Sequence, residues 1–331
     1  MKKIISISIL SILLLTGCYN FMYEDTTRDW LCSIYIDGTD MTRIDYNFGN
    51  YLLSPDRETL IEYTNKRFSL VDLDDLESKT LLIDYGQDTD AISYPALYNN
   101  FIAYCHDNDI YTMSLDNFEI NRLTFTENAQ HPSISSDGEK IAYSTISDSL
   151  STLVVMDADG SNQNVICEIE NYNATRHYMK NIHFVMNDQM LIYCISSQQF
   201  SPIPKGVCSI QIDGSDNHCI VSNVFPVSLT LSPDRTFIVF SYNGLIYRTN
   251  VDTPNHILLL SASGNEYFDL VVTPDNEKIL FDFDNTPYLM NADGTNRFQM
   301  VDEQIGPVYQ DHQEAFFLND YTVLMVFQLD W

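Results

Sequence analysis

A unit of about 44 residues recurs along this chain at least six times, and no other feature restricts the fold as tightly. Each copy holds an Asp- or Asn-centred turn, an apolar strand ending near an aromatic residue, and a second Asp-rich turn. The clearest copies read Ser135-Ser136-Asp137-Gly138 with Ile141-Ala142-Tyr143, and Leu231-Ser232-Pro233-Asp234 with Phe237-Ile238-Val239-Phe240. One such unit cannot bury its own apolar face. Copies must therefore stack, and short strands and turns at this period close into a β-propeller.

The turns also count the blades. The turn between strands A and B falls at Asp56, Asn99, Asp137, Asp188, Asp234, Asp275 and Asp320. The turn between strands C and D falls at Asp37-Gly38, Asp74-Asp75, Asp116-Asn117, Asp159-Gly160, Asp213-Gly214, Asp252-Thr253 and Asp293-Gly294. Gly supplies the positive φ of tight hairpins, and Asp and Asn tolerate it. The two series are offset. The first C–D hairpin, at 31–44, precedes any A–B hairpin, and the last A–B hairpin, at 313–329, has no C–D hairpin after it. Together they make one composite blade, which removes exposed strand edges. The register is supported by Cys32-Ser33-Ile34-Tyr35-Ile36-Asp37-Gly38 and Cys208-Ser209-Ile210-Gln211-Ile212-Asp213-Gly214, which match at six of seven positions. The expected fold is all-β: a seven-bladed β-propeller of four-stranded antiparallel blades, closed by N-terminal C–D strands pairing with C-terminal A–B strands. Irregular units at 93–125 and 181–221 leave six or eight blades open.

The N-terminus reads as an export signal over residues 1–17. Lys2 and Lys3 precede an apolar stretch from Ile4 to Leu15, too short to span a membrane comfortably. It ends in Leu15-Thr16-Gly17-Cys18, which resembles the lipobox of bacterial lipoproteins. That resemblance implies cleavage before Cys18 and lipid attachment to it. Acyl chains contribute about 0.8 kcal/mol per buried CH₂, enough to hold a soluble domain at a membrane surface. Tyr19 follows the cysteine where Asp would favour inner-membrane retention, so the resemblance implies the outer membrane, facing the periplasm or the cell surface. Residues 18–30 read as a lipidated tether and 31–331 as the propeller.

Of 17 basic residues the signal removes two, leaving 15 against 46 acidic ones, a net charge of −31. Such a surface repels nucleic acid and anionic headgroups. Many of the acids sit in the repeated turns, where Asp suits the geometry. The 21 Tyr and 18 Phe fit a strand-rich core.

The segment Pro132-Ser133-Ile134-Ser135-Ser136-Asp137-Gly138-Glu139-Lys140-Ile141-Ala142-Tyr143 resembles the TolB-type propeller repeat. Asp157-Ala158-Asp159-Gly160 and Asn291-Ala292-Asp293-Gly294 supply its second turn. The resemblance covers most of residues 31–329. Similar repeats occur in periplasmic binding scaffolds, in the propellers of prolyl-oligopeptidase-like enzymes and in some polysaccharide lyases, so it speaks for architecture more than activity. TolB carries a further N-terminal domain, for which this chain has no room ahead of residue 31. The expectation is a stand-alone, lipid-tethered propeller. A Gly-x-Ser-x-Gly elbow is absent, and serine peptidase activity is not expected.

Three groups of residues remain as candidate sites. Long connections at 169–180, with Tyr172, Arg176, His177 and Tyr178, and at 196–207, with Phe200, Pro202 and Pro204, exceed the usual hairpin length and are candidate binding loops. His131, His183 and His312 all fall before or within a strand A, the strand that lines the channel. With Gln130, Gln310 and Gln313 they could hold a metal, and the resemblance to propeller-type oligogalacturonate lyases implies a His/Gln-ligated one. Against this stand the scattered histidines, with no His-Glu-x-x-His and no Cys-x-x-Cys. Asp157-Ala158-Asp159-Gly160 lacks the Gly and Glu placement of a calcium loop and reads as a hairpin. No cofactor is expected. Cys194 and Cys208 fall on adjacent strands and are a possible disulfide; the states of Cys32, Cys105, Cys167, Cys194, Cys208 and Cys219 stay open. The leading reading is a non-enzymatic, TolB-like scaffold for envelope proteins, with a glycan or small ligand possible. The alternative is a metal-dependent carbohydrate-active enzyme using the channel histidines.

Overall fold

The computed structural model describes residues 28–35, 42–46, 50–54, 56–73, 78–86, 91–171, 176–197, 205–224, 226, 228–252, 256–261, 270–283, 286–300, 312–317 and 322–329. For 28–46, 197, 282–283, 286–287 and 312–329 the description is of backbone alone.

The chain forms β1 (Arg28–Tyr35) and β2 (Thr42–Tyr46), and then six four-stranded blades in order. Blade 1 is β3 (Asn50–Leu53), β4 (Leu60–Tyr63), β5 (Arg67–Val71) and β6 (Lys79–Asp84). Blade 2 is β7 (Ser93–Tyr98), β8 (Phe101–His106), β9 (Asp109–Ser114) and β10 (Ile120–Arg122). Blade 3 is β11 (Ala129–Ile134), β12 (Lys140–Ile146), β13 (Leu150–Asp157) and β14 (Asn164–Glu170). Blade 4 is β15 (His177–Val185), β16 (Met190–Ser197), β17 (Gly206–Gln211) and β18 (His218–Ser222). Blade 5 is β19 (Leu229–Leu231), β20 (Phe237–Tyr242), β21 (Leu245–Asn250) and β22 (Ile257–Ser261). Blade 6 begins with β23 (Leu270–Val272) and β24 (Lys278–Phe283), and is completed by β25 (Thr286–Asn291) and β26 (Phe298–Gln299). The last strands, β27 (His312–Phe317) and β28 (Thr322–Leu329), join β1 and β2 in the order β2-β1-β28-β27. Seven four-stranded antiparallel sheets result, closed as the offset turns imply: β1 pairs β28 from Arg28↔Leu329 to Tyr35↔Thr322. The units at 93–125 and 181–221, irregular in sequence, are ordinary blades.

The turns show why these residues fold this way. In four A–B turns a hydroxyl donates to an Asp two residues on: Ser54 to Asp56, Ser135 to Asp137, Ser232 to Asp234 and Thr273 to Asp275, at 2.5–2.7 Å. The same oxygen accepts the amide opening strand B, as from Lys140 and Phe237. This local bonding replaces the ladder where the chain reverses. In C–D turns Gly160, Gly214 and Gly294 hold φ of 86°, 85° and 84°. A Cβ on Gly214 would meet the Ile166 carbonyl at 3.1 Å, and one on Gly294 the Leu259 carbonyl at 2.9 Å. Each of these glycines lets a hairpin press against strand D of the preceding blade.

The core lies between blades. Along β16, Leu191, Tyr193 and Ile195 pack toward blade 3, while Ile192 and Cys194 pack toward blade 5. Both faces are buried, so strand B reads as a continuous apolar run rather than an alternating one. The A strands pack on one another, β7 and β15 each against β11, and β3 against β7 and β27. They therefore line the central channel.

Candidate functional site

Three A strands carry a bulge at the same place. The register against strand B slips between Ser93 and Ala96 in β7, between Gln130 and Ser133 in β11, and between Lys180 and His183 in β15. A bulge bends its strand and re-aims side chains. Here the inserted residues Tyr94, His131 and Asn181 take left-handed φ of 51°, 55° and 51°. The rings of Tyr94 and His131 meet with centroids 3.7 Å apart. Burial, with the Lys180 charge adding to it, pushes the His131 imidazole down to about 4. Burial, then Cys105 and Tyr178, raises the Tyr94 phenol.

His183 sits beyond its bulge, at the position equivalent to Ser133, whereas His131 is itself the bulge residue. The two histidines thus occupy different levels of the channel wall. Burial and the nearby Arg235 push His183 down to about 4. His312 lies in β27 opposite Phe327, so its backbone lines the channel as expected; its side chain, like Gln310 and the side chain of Gln313, is outside the described residues. Among the described residues no three His, Cys, Asp or Glu side chains are grouped as a metal ion needs.

On the face carrying the A–B turns, hydrogen bonds cross from blade to blade. Asp188 accepts from the Ser136 amide at 3.0 Å and from the Ser136 hydroxyl, and Arg235 donates to it at 2.9 Å. Arg235 also donates to the Phe184 carbonyl at 3.1 Å. The Asp234 amide then donates to Asn276 at 3.1 Å. Four successive A–B turns are tied into one belt around this mouth.

The candidate binding loops divide. Tyr172, Phe200, Pro202 and Pro204 lie outside the described residues. Arg176 pairs with Asp148 at 2.5 Å. His177 is 1 % exposed and donates from its backbone and from Nδ1 to Asn171, at 2.9 and 3.0 Å. Asn171 in turn donates to the Ser147 carbonyl at 2.9 Å. These two residues stitch blade 3 to blade 4. Tyr178, half-buried, follows His177 in β15, one of the strands that line the channel. Cys18 and residues 1–27 are outside the described residues, and β1 starts at Arg28, three residues ahead of the boundary read from sequence.

Of the cysteines that the sequence leaves open, Cys208 and Cys219 pair, and the possible Cys194–Cys208 bond is not formed. Cys208 bonds to Cys219 across β17 and β18, while Cys194 is buried and unbonded, as are Cys105 and Cys167. Strand register explains this: Cys194 stands opposite Val207, and Cys208 opposite Tyr193 on one side and Cys219 on the other.

The fold and its closure define a seven-bladed β-propeller. No protein-family model matches the chain, and no curated protein matches its sequence. Solved structures do match. An oligogalacturonate lyase in complex with manganese aligns with a TM-score of 0.61 at 14 % identity, over 84 % of this chain and 87 % of that one. An oligogalacturonate lyase from Vibrio parahaemolyticus aligns at 0.61 and 12 % identity, over 90 % and 91 %. A putative TolB from Agrobacterium tumefaciens aligns at 0.53 and 14 % identity, over 92 % and 99 %. At these identities the likeness is one of fold.

Proposed function

We propose that this chain is a lipid-anchored propeller of the bacterial cell envelope that binds proteins and is not an enzyme, a TolB-like scaffold. The observation that carries this reading is the placement of the channel histidines. His131 is itself a bulge residue, whereas His183 lies beyond its bulge, at the position equivalent to Ser133. Imidazoles at different levels of the wall do not converge on one ion, which disfavours the metal-dependent carbohydrate-active alternative at His131, His183 and His312. The belt of turns adds a fixed platform on one face, suited to docking without rearrangement. In this reading lipid on Cys18 holds the disc at the outer membrane, facing the periplasm or the cell surface, and the partners are envelope proteins.

Three measurements test it. Fatty-acid labelling in cells should mark the parent and not Cys18→Ala. Purified protein reloaded with manganese, zinc or calcium should keep no stoichiometric metal and melt unchanged. One retained equivalent, lost in His131→Ala, would favour the enzyme. Crosslinking in intact cells should capture one recurrent envelope protein, lost when residues 198–204 are replaced by a Gly-Ser turn. Repeated captures without one would refute the scaffold.

A further inference from the structure

Among the described residues Cys105, Cys167 and Cys194 carry free thiols, and one disulfide joins Cys208 to Cys219. The thiols are not equivalent. Cys105 packs between blades 2 and 3, and Cys194 between blades 4 and 5. Of the three, Cys167 alone shares its core cluster with both halves of the disulfide: Cys208 belongs to that cluster and Cys219 packs against it.

Strand pairing sets the partners in one row. Tyr193 in β16 stands opposite Cys208 in β17, which stands opposite Cys219 in β18. Directly opposed residues share a face of their sheet, and this face is the one turned to blade 3. Cys167, on β14 of blade 3, meets that face. The Asn217 Nδ2 donates to its Sγ at 3.3 Å, and the Tyr193 hydroxyl lies 3.8 Å from it. The same hydroxyl donates to the Asn217 Oδ1 at 2.8 Å, so the two contacts brace each other. Asn217 stands two residues before Cys219, so the group that holds the Cys167 sulfur lies on the same arm of the hairpin as one half of the disulfide. Burial raises the Cys167 thiol, and the bonds from Tyr193 and Asn217 oppose that by favouring the thiolate. Cys219 is the more exposed half of the disulfide, Cys208 being 1 % exposed.

We propose that Cys167 exchanges with the disulfide, a thiol–disulfide switch that replaces a bond inside blade 4 by one between blades 3 and 4. The Cys167 thiolate attacks the Cys219 Sγ. The Cys167–Cys219 bond forms, the Cys208–Cys219 bond breaks, and the electron pair leaves on the Cys208 Sγ, which takes up the proton that Cys167 released. No oxidant or reductant is consumed. The new bond closes a far longer loop than the 11 residues spanned at present, and a crosslink constrains the chain more as its loop grows. The switch does not depend on the scaffold reading.

The test is disulfide mapping of the full chain. The protein is held in a buffer of reduced and oxidised glutathione, quenched with acid, alkylated, digested and read by mass spectrometry. A peptide pair joined through Cys167 and Cys219 should appear beside the Cys208–Cys219 pair, with Cys208 alkylated. In Cys208→Ser the same buffer should join Cys167 to Cys219, and both thiols should be lost together. In Cys167→Ser only the Cys208–Cys219 pair should form. Cys208→Ala replaces the serine variant if that one melts below the parent. The proposal is overturned if the parent never yields the Cys167–Cys219 pair, if Cys167 joins Cys208 instead, or if the Cys208 variant that melts like the parent keeps Cys167 as a free thiol.

Discussion

Removing the Asp188 carboxylate should loosen three blades at once. The side chain is 9 % exposed and answers three donors: the Ser136 amide, the Ser136 hydroxyl and the Arg235 guanidinium. In Asp188→Ala the Ser136 amide loses its acceptor, and Arg235, 28 % exposed, keeps only the Phe184 carbonyl. Breaking one partner of a buried ion pair costs about 3–5 kcal/mol. The partial exposure of Arg235 and its second acceptor place this case at the low end, about 3 kcal/mol. Arg235→Ala should cost less, about 2 kcal/mol, because Asp188 keeps both bonds from Ser136. The double variant should recover about 1.5 kcal/mol of the sum, since no charge is then stranded. Urea denaturation followed by tyrosine fluorescence gives all three values. A loss below about 1 kcal/mol for Asp188→Ala, or strict additivity in the double variant, would show that the belt does not couple the turns.

Other outcomes follow from the same structure. His131 and His183 are held at about 4, against an unfolded value near 6.5, so the unfolded chain binds more protons between those pH values. Stability should therefore fall as pH drops from 6.5 to 4, by up to about 3 kcal/mol per histidine, and denaturation curves of His183→Asn should be flatter across that window. Gly214→Ala should cost about 1–3 kcal/mol in urea titrations, because the new Cβ meets the Ile166 carbonyl with φ at 85°. Asp109→Asn should cost about 2–3 kcal/mol, since this buried carboxylate accepts from Arg122, Thr124 and the Thr126 amide. A parent-like midpoint would refute either of these last two assignments.

Much of the architecture was legible because it rests on local chemistry. Ser135 bonds Asp137 two residues away, and Gly160 needs its φ whatever the rest of the chain does, so turns and blade number could be counted from residue types. The bulges were hidden because their inserted residues, Tyr94, His131 and Asn181, share no chemistry, only a register slip. Asp188 reads in sequence as one more turn Asp. Its strand lacks the serine that would engage it locally, and its partner lies 52 residues away. His131 and His183 lie on A strands but not on one level, because His131 is itself the bulge residue and His183 follows its bulge. Cys194 and Cys208 do lie on paired strands; register, which spacing does not reveal, sets them opposite other residues.

The seam between β1 and β28 also sets a clock. Its first pair joins residue 28 to residue 329, nearly the whole length of the chain. Closing a loop of that size costs about 5 kcal/mol in chain entropy, repaid only when the eight-residue ladder forms. Because synthesis proceeds from the N-terminus, β1 waits for its partner until the final strand is made. Blades 1–6 can stack meanwhile, with open edges at both ends of the arc. The unclosed arc is the form most exposed to proteases, to chaperones and to pairing with a second chain. Completing the ring is therefore the step that ends this exposure.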